Sequence, residues 1–117
     1  MKRFNRRNEQ LADAAERASV IAEWLGALPY QSKTLTESWQ RFIWHQFHDD
    51  LTGTSIREAY PFSWNDEILS QTQFMQVMNT ASGAVISGMN TKVKGIPVVV
   101  YNPAAYVRKN IAEAFIP

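Results

Sequence analysis

The sequence predicts a mainly α protein: a three-helix bundle over residues 1–93, followed by a short β-hairpin over 94–117 that begins a truncated β-domain. Three observations predict it. Apolar residues recur at three- and four-residue spacing through most of the first ninety positions. Two breaks, Gly26 to Pro29 and Thr52-Gly53-Thr54, cut that pattern into three. After Lys94-Gly95 the period shortens into the β-branched run Ile96-Pro97-Val98-Val99-Val100-Tyr101, stopped by Asn102-Pro103.

The first helix is read over about Asn8 to Leu28. Leu11, Ala14, Ala15, Ala18, Ile21, Ala22 and Leu25 form its stripe, and the alanines let a neighbouring helix approach closely. The second begins near Thr34, with Glu37 three residues on as a reciprocal cap, and runs to about Asp50. On it Trp39, Ile43, Trp44, Phe47 and Leu51 make an oily back, and Ser38, Arg41, His45, His48 and Asp49 a polar front. The third is expected after Ser63-Trp64-Asn65, opened by Asp66 and Glu67 and ended around Gly88 to Asn90. Ile68, Phe74, Met75, Met78, Ala81, Val85, Ile86 and Met89 are its core stripe. Asn110 to Ile116 is expected as the hairpin's second strand, and two strands alone are marginal in water.

Composition excludes several classes. There are 12 Lys+Arg against 11 Asp+Glu, a net charge of +1, so no nucleic-acid partner is expected; the basic start Lys2, Arg3, Arg6 and Arg7 reads as a solvated edge. No apolar run approaches the length of a membrane span. With no Cys, neither a disulfide framework nor a thiolate metal site is available.

The chemistry sits in Trp44-His45-Gln46-Phe47-His48-Asp49-Asp50-Leu51-Thr52-Gly53-Thr54-Ser55, which holds both histidines of the chain. Imidazole is the commonest metal ligand, and a nearby carboxylate can ligate or orient it. Spacing alone favours a pair of surface histidines beside carboxylates at a helix end, because a catalytic zinc wants three protein ligands and this segment offers two. Asp49 and Asp50 are adjacent and do not make a glycosidase pair flanking one bond. Ser55 is weak as a nucleophile, and no phosphate-binding Gly-Lys-Ser/Thr occurs.

Gln46-Phe47-His48-Asp49-Asp50-Leu51-Thr52-Gly53-Thr54 resembles the signature of glycoside hydrolase family 38, the zinc-dependent retaining α-mannosidases. Ser38-Trp39-Gln40-Arg41-Phe42-Ile43-Trp44 is similar to the helix leading into it, and Val98-Val99-Val100-Tyr101-Asn102-Pro103 to the entry of the family's β-rich domain. The resemblance implies that residues 1–93 are a helical middle domain and 94–117 the first strands of the carboxyl-terminal β-domain. It implies His48 as a zinc ligand, Asp49 as the carboxylate that hydrogen-bonds mannose hydroxyls, and Thr52, Gly53 and Thr54 as shapers of the helix exit. Asp50 stands where many relatives carry a small or aliphatic residue, and Phe47 where some carry histidine. His45 matches no ligand and is expected only to pack or hydrogen-bond.

On this reading no catalytic residue lies in the chain. The nucleophile, the acid/base carboxylate and the other zinc ligands belong to an amino-terminal domain of the same parent, and the substrate is a terminal α-mannoside of a glycan. The piece alone is expected to be inactive and to bind zinc weakly. Its unpaired hairpin invites self-association into a homo-oligomer through a strand edge. The alternatives are a small helical interaction module with an incidental His/Asp cluster, and an unrelated histidine-metal hydrolase completed by an oligomer.

Overall fold

A computed structural model describes residues 1–115, which contain three α-helices: α1 (Lys2–Trp24), α2 (Ser32–Trp44) and α3 (Tyr60–Ser87), with one 3-10 turn at Arg57–Ala59 leading into α3. They form an up-down-up bundle. Asn8 meets Glu67 at one end of the α1/α3 contact and Ala22 clusters with Ala81 at the other, so those two helices run parallel. Gln31 reaches Val77 while His45 reaches Asp66, so α2 runs against both.

The α1 seam is Ala12, Ala15, Ala18 and Ala22, all buried, extended by Asn8 and Ser19. Against it lie Phe74, Val77 and Ala81 of α3. Leu35 and Phe42 of α2 complete the core, with the rings of Trp39, Phe42 and Phe74 in mutual contact at centroid distances of 5.6–6.4 Å. Small residues on α1 bring backbones close, and the large rings fill the wedge that α2 closes.

Helix α1 ends in a Schellman turn: Gly26 at φ +69° follows Leu25, the Ala27 amide donates to the Ala22 carbonyl at 2.8 Å, and the Gly26 amide to Glu23 at 2.9 Å. Gln31, which precedes α2, donates its backbone amide to Ser19 Oγ at 3.0 Å, tying that start to α1. The expected Thr34/Glu37 cap is not formed; the Thr34 carbonyl instead accepts from Ser38 Oγ. α3 begins earlier than expected because Pro61 suits the first helical turn.

Two expectations are corrected. The exposed flank of α2 is the apolar one: Ile43 is 56% and Trp44 77% exposed, with Phe47 of the following turn 56% exposed, whereas Leu35, Ser38 and Phe42 turn inward. Ser38 tolerates burial because its hydroxyl bonds the Thr34 carbonyl and Gln73 Oε1. The β-hairpin is also absent: residues 96–115 contain no strand among the described residues, and Ile116 lies outside them. The segment after α3 touches the bundle through Tyr101, which packs on Ala18, Ala22 and Ala81. β-branched propensity reports fit to a pleated surface, and no partner strand supplies one among the described residues.

Phe42→Ala is expected to cost about 3–5 kcal/mol and Ile43→Ala less than about 0.5 kcal/mol in urea unfolding. The reverse ranking would restore the face that periodicity alone favours.

Candidate functional site

Helix α2 stops at Trp44, so of the residues expected on its polar front Ser38 and Arg41 stay in the helix while His45, His48 and Asp49 lie beyond it. Beyond Trp44 the backbone runs through a chain of turns. Backbone amides of Gln46 and Phe47 reach back to Ile43 and Trp44, and those of Asp50 and Leu51 both donate to the Phe47 carbonyl at 3.0 and 3.1 Å. Thr52 Oγ1 donates to the His48 carbonyl, and the Thr54 amide to the Asp49 carbonyl at 3.1 Å. These bonds tie the turn that follows the helix end. Gly53, at φ +93°, makes the reversal that a side chain would strain.

His48 and Asp49 project outward from this turn. Their side chains are 77% and 50% exposed, and His48 Nε2 lies 3.5 Å from Asp49 Oδ2. Asp49 Oδ1 accepts from Thr54 Oγ1 at 3.1 Å, and the two threonine hydroxyls are 3.0 Å apart. The Phe47 ring lies 4.2 Å from the imidazole, centroid to centroid. Thr52, Gly53 and Thr54 thus shape the turn under both residues. No group of three or more His, Cys, Asp or Glu able to hold a metal occurs among the described residues.

His45 takes the opposite course. Only 5% exposed, it sits with Nδ1 2.5 Å from Asp50 Oδ2 and Nε2 3.0 Å from Asp66 Oδ2. Arg41 Nε approaches Asp66 Oδ1 at 3.8 Å and Arg41 Nη1 bonds Gln73 Oε1 at 2.5 Å. Desolvation works against a charged imidazole here, but the two carboxylates outweigh it and raise the His45 pKa above its ordinary value. This arrangement was invisible to spacing. His45 and Asp50 are five apart and meet only because the helix ends between them; Asp66 arrives from α3.

Behind it lies a second buried polar pair. Asn8 Nδ2 donates to Glu67 Oε2 at 2.5 Å and to the Glu67 carbonyl at 2.9 Å. Glu67 is fully buried, its Oε1 has no partner among the described residues, and burial pushes its carboxyl above the usual range. On the outer side a cleft of about 530 Å³ opens beside His45 and Asp50, walled by Trp44, Phe47 and Phe62. His48 and Asp49 do not line it.

A family profile described as alpha mannosidase middle domain matches residues 1–85. No curated protein and no solved structure matches the chain.

A carboxyl whose folded pKa is raised stabilises the fold fully below its unfolded value and ceases to do so as pH rises through the folded one. Stability of the wild-type chain is therefore expected to decline above the ordinary glutamate range. Glu67→Gln should flatten that decline while keeping the Asn8 contact, as read by thermal unfolding across pH. An identical pH profile in the variant would mean that Glu67 is ionised where it lies.

Proposed function

The chain belongs to the alpha mannosidase middle domain family, and on that premise we propose that it forms one wall of the active site of a zinc-dependent retaining α-mannosidase that hydrolyses terminal α-mannosides of glycans. His48 is the zinc ligand this chain contributes, and Asp49 is the carboxylate that accepts hydrogen bonds from the sugar's hydroxyls.

The observation that carries the reading is the outward pair itself. An imidazole and a carboxylate stand side by side, both accessible, on a turn tied by Thr52 and Thr54 rather than on a free loop. Ligands on a supported element hold a tighter geometry than ligands on a mobile one. The donor chemistry suits zinc, which takes nitrogen and oxygen ligands. Two donors fall short of a zinc shell, so the remaining ligands belong to other parts of the parent. When bound, zinc would act as Lewis acid and template toward the sugar.

The roles left to this chain come from its own atoms. Thr54 holds Asp49 Oδ1, so Asp49 keeps lone pairs of fixed direction for an incoming hydroxyl. His48 carries no side-chain hydrogen-bond partner among the described residues apart from its neighbour's carboxylate, which leaves its ring nitrogens available. The nucleophile and the acid/base carboxylate, which must oppose each other across the glycosidic bond, come from outside residues 1–117. The apolar flank of Ile43, Trp44 and Phe47, continued by Phe62, supports the same reading: a lone domain gains nothing by leaving such a surface in water, and a larger parent would cover it.

In the full-length parent, p-nitrophenyl α-mannoside should be turned over, a chelator should abolish turnover, and His48→Ala should reduce it by more than about a hundredfold. The 117-residue chain alone should show no turnover and no tight stoichiometric zinc binding by calorimetry. Full activity of His48→Ala, or tight zinc capture by the isolated chain, would overturn the assignment.

A further inference from the structure

We infer that His45 is a positioning residue, a protonated imidazole bridging Asp50 and Asp66 that locks the turn from which His48 and Asp49 project. The assignment deepens the proposed function and rests on it for the importance of that turn.

Donors and acceptors decide the protonation state. A neutral imidazole has a single N–H, whereas both ring nitrogens of His45 face carboxylate oxygens at 2.5 and 3.0 Å. Ionised carboxylates only accept, so satisfying both contacts needs the imidazolium. The local charges close: His45 and Arg41 supply two positive groups against Asp50 and Asp66, with Arg41 Nε 3.8 Å from Asp66 Oδ1. Glu67, the other carboxyl facing this cluster from α3, is held toward its neutral form by burial, which the charges of His45 and the amino terminus oppose. Like-charge crowding is thereby kept low around a largely buried imidazole.

Topology gives the bridge its mechanical consequence. The Nδ1 contact closes a ring from His45 to Asp50, and His48 and Asp49 lie inside it. The Nε2 contact fastens that ring to α3. Losing the proton would leave one carboxylate facing a lone pair, while Asp50 Oδ1 is already without a partner among the described residues. A buried unmatched acceptor is costly, so the turn would open to rehydrate it. Because the bridge raises the histidine's folded pKa, its contribution is full below the free-imidazole value and disappears as pH rises through the folded one.

The 117-residue chain itself serves for the test, by ¹⁵N-imidazole NMR and amide hydrogen exchange. On the alkaline side of the free-imidazole midpoint, His45 should still show two ring N–H signals. Asp66→Asn, which leaves Asp50 in place and alters a half-exposed residue, should lower the His45 titration midpoint. It should also speed exchange of amides in residues 46–54 by about tenfold, with the amides of Phe74 and Val77 unchanged. A purely structural role would speed exchange in the core as well. Exchange faster in core and turn alike would overturn the inference, as would a single ring proton on His45 at that pH, or turn exchange untouched by Asp66→Asn. A parent without α-mannosidase activity would overturn the functional reading and leave these readouts as they are.

Discussion

The close approach of α1 and α3 governs everything else in this bundle. Ala12, Ala15, Ala18 and Ala22 bring one backbone against another along a seam that admits no larger side chain without displacement. That contact sets two helices parallel, which obliges the chain to return between them through α2. It also fixes the relative height of their starts, so that Asn8 of α1 faces Glu67 of α3. The end of α2 is then delivered beside the first turns of α3, and His45 meets Asp66 there. The site turn is where it is because of alanines some distance away.

The two ends of the bundle differ in chemistry. Toward Ala22 and Ala81 the core is small and apolar, with Tyr101 lying against it. Toward the site end the buried positions are Asn8, Ser63, Glu67, Ser70, His45 and Asp50, a sequence choice that weakens the hydrophobic contribution there. Polar groups in that position are tolerated when they are matched, and the matching here is uneven: Glu67 Oε1, Asp50 Oδ1 and Ser70 Oγ have no partner among the described residues. Departures from an ideal core cluster beside functional elements in many proteins, where precision of a local geometry counts for more than stability. The exposed aromatic flank beside the same end fits that pattern.

Much of the helical fold was legible in the residues. The alanine stripe of α1, the Gly26 stop and the break at Thr52-Gly53-Thr54 all have local causes, and the structure bears out three helices. The faces were harder. On α2 the apolar residues Ile43 and Trp44 outrank Ser38 in any periodic reading, yet Ser38 is the one inside, since its hydroxyl is satisfied by Thr34 and Gln73. The helix was expected to reach Asp50; it ends at Trp44, where the amides of Gln46 and Phe47 turn to carbonyls three residues back instead of four, and the imidazole of His45 is drawn to Asp50 and Asp66. The valine run near the carboxyl end carries strand propensity with no strand to pair with among the described residues, so propensity misled. At the site, His48 and Asp49 were legible as a motif, whereas the partners of His45 depended on tertiary contacts between α2, the turn and α3.

The central claim is that the outward His48 belongs to a metal shell shared with another part of the parent protein. Anomalous diffraction at the zinc edge from crystals of the full-length parent tests it most directly. The predicted result is a zinc peak at bonding distance from a His48 ring nitrogen, with its other protein ligands drawn from outside residues 1–117. A zinc ion bound with no contribution from His48, or no peak near this turn in zinc-loaded active enzyme, would contradict it.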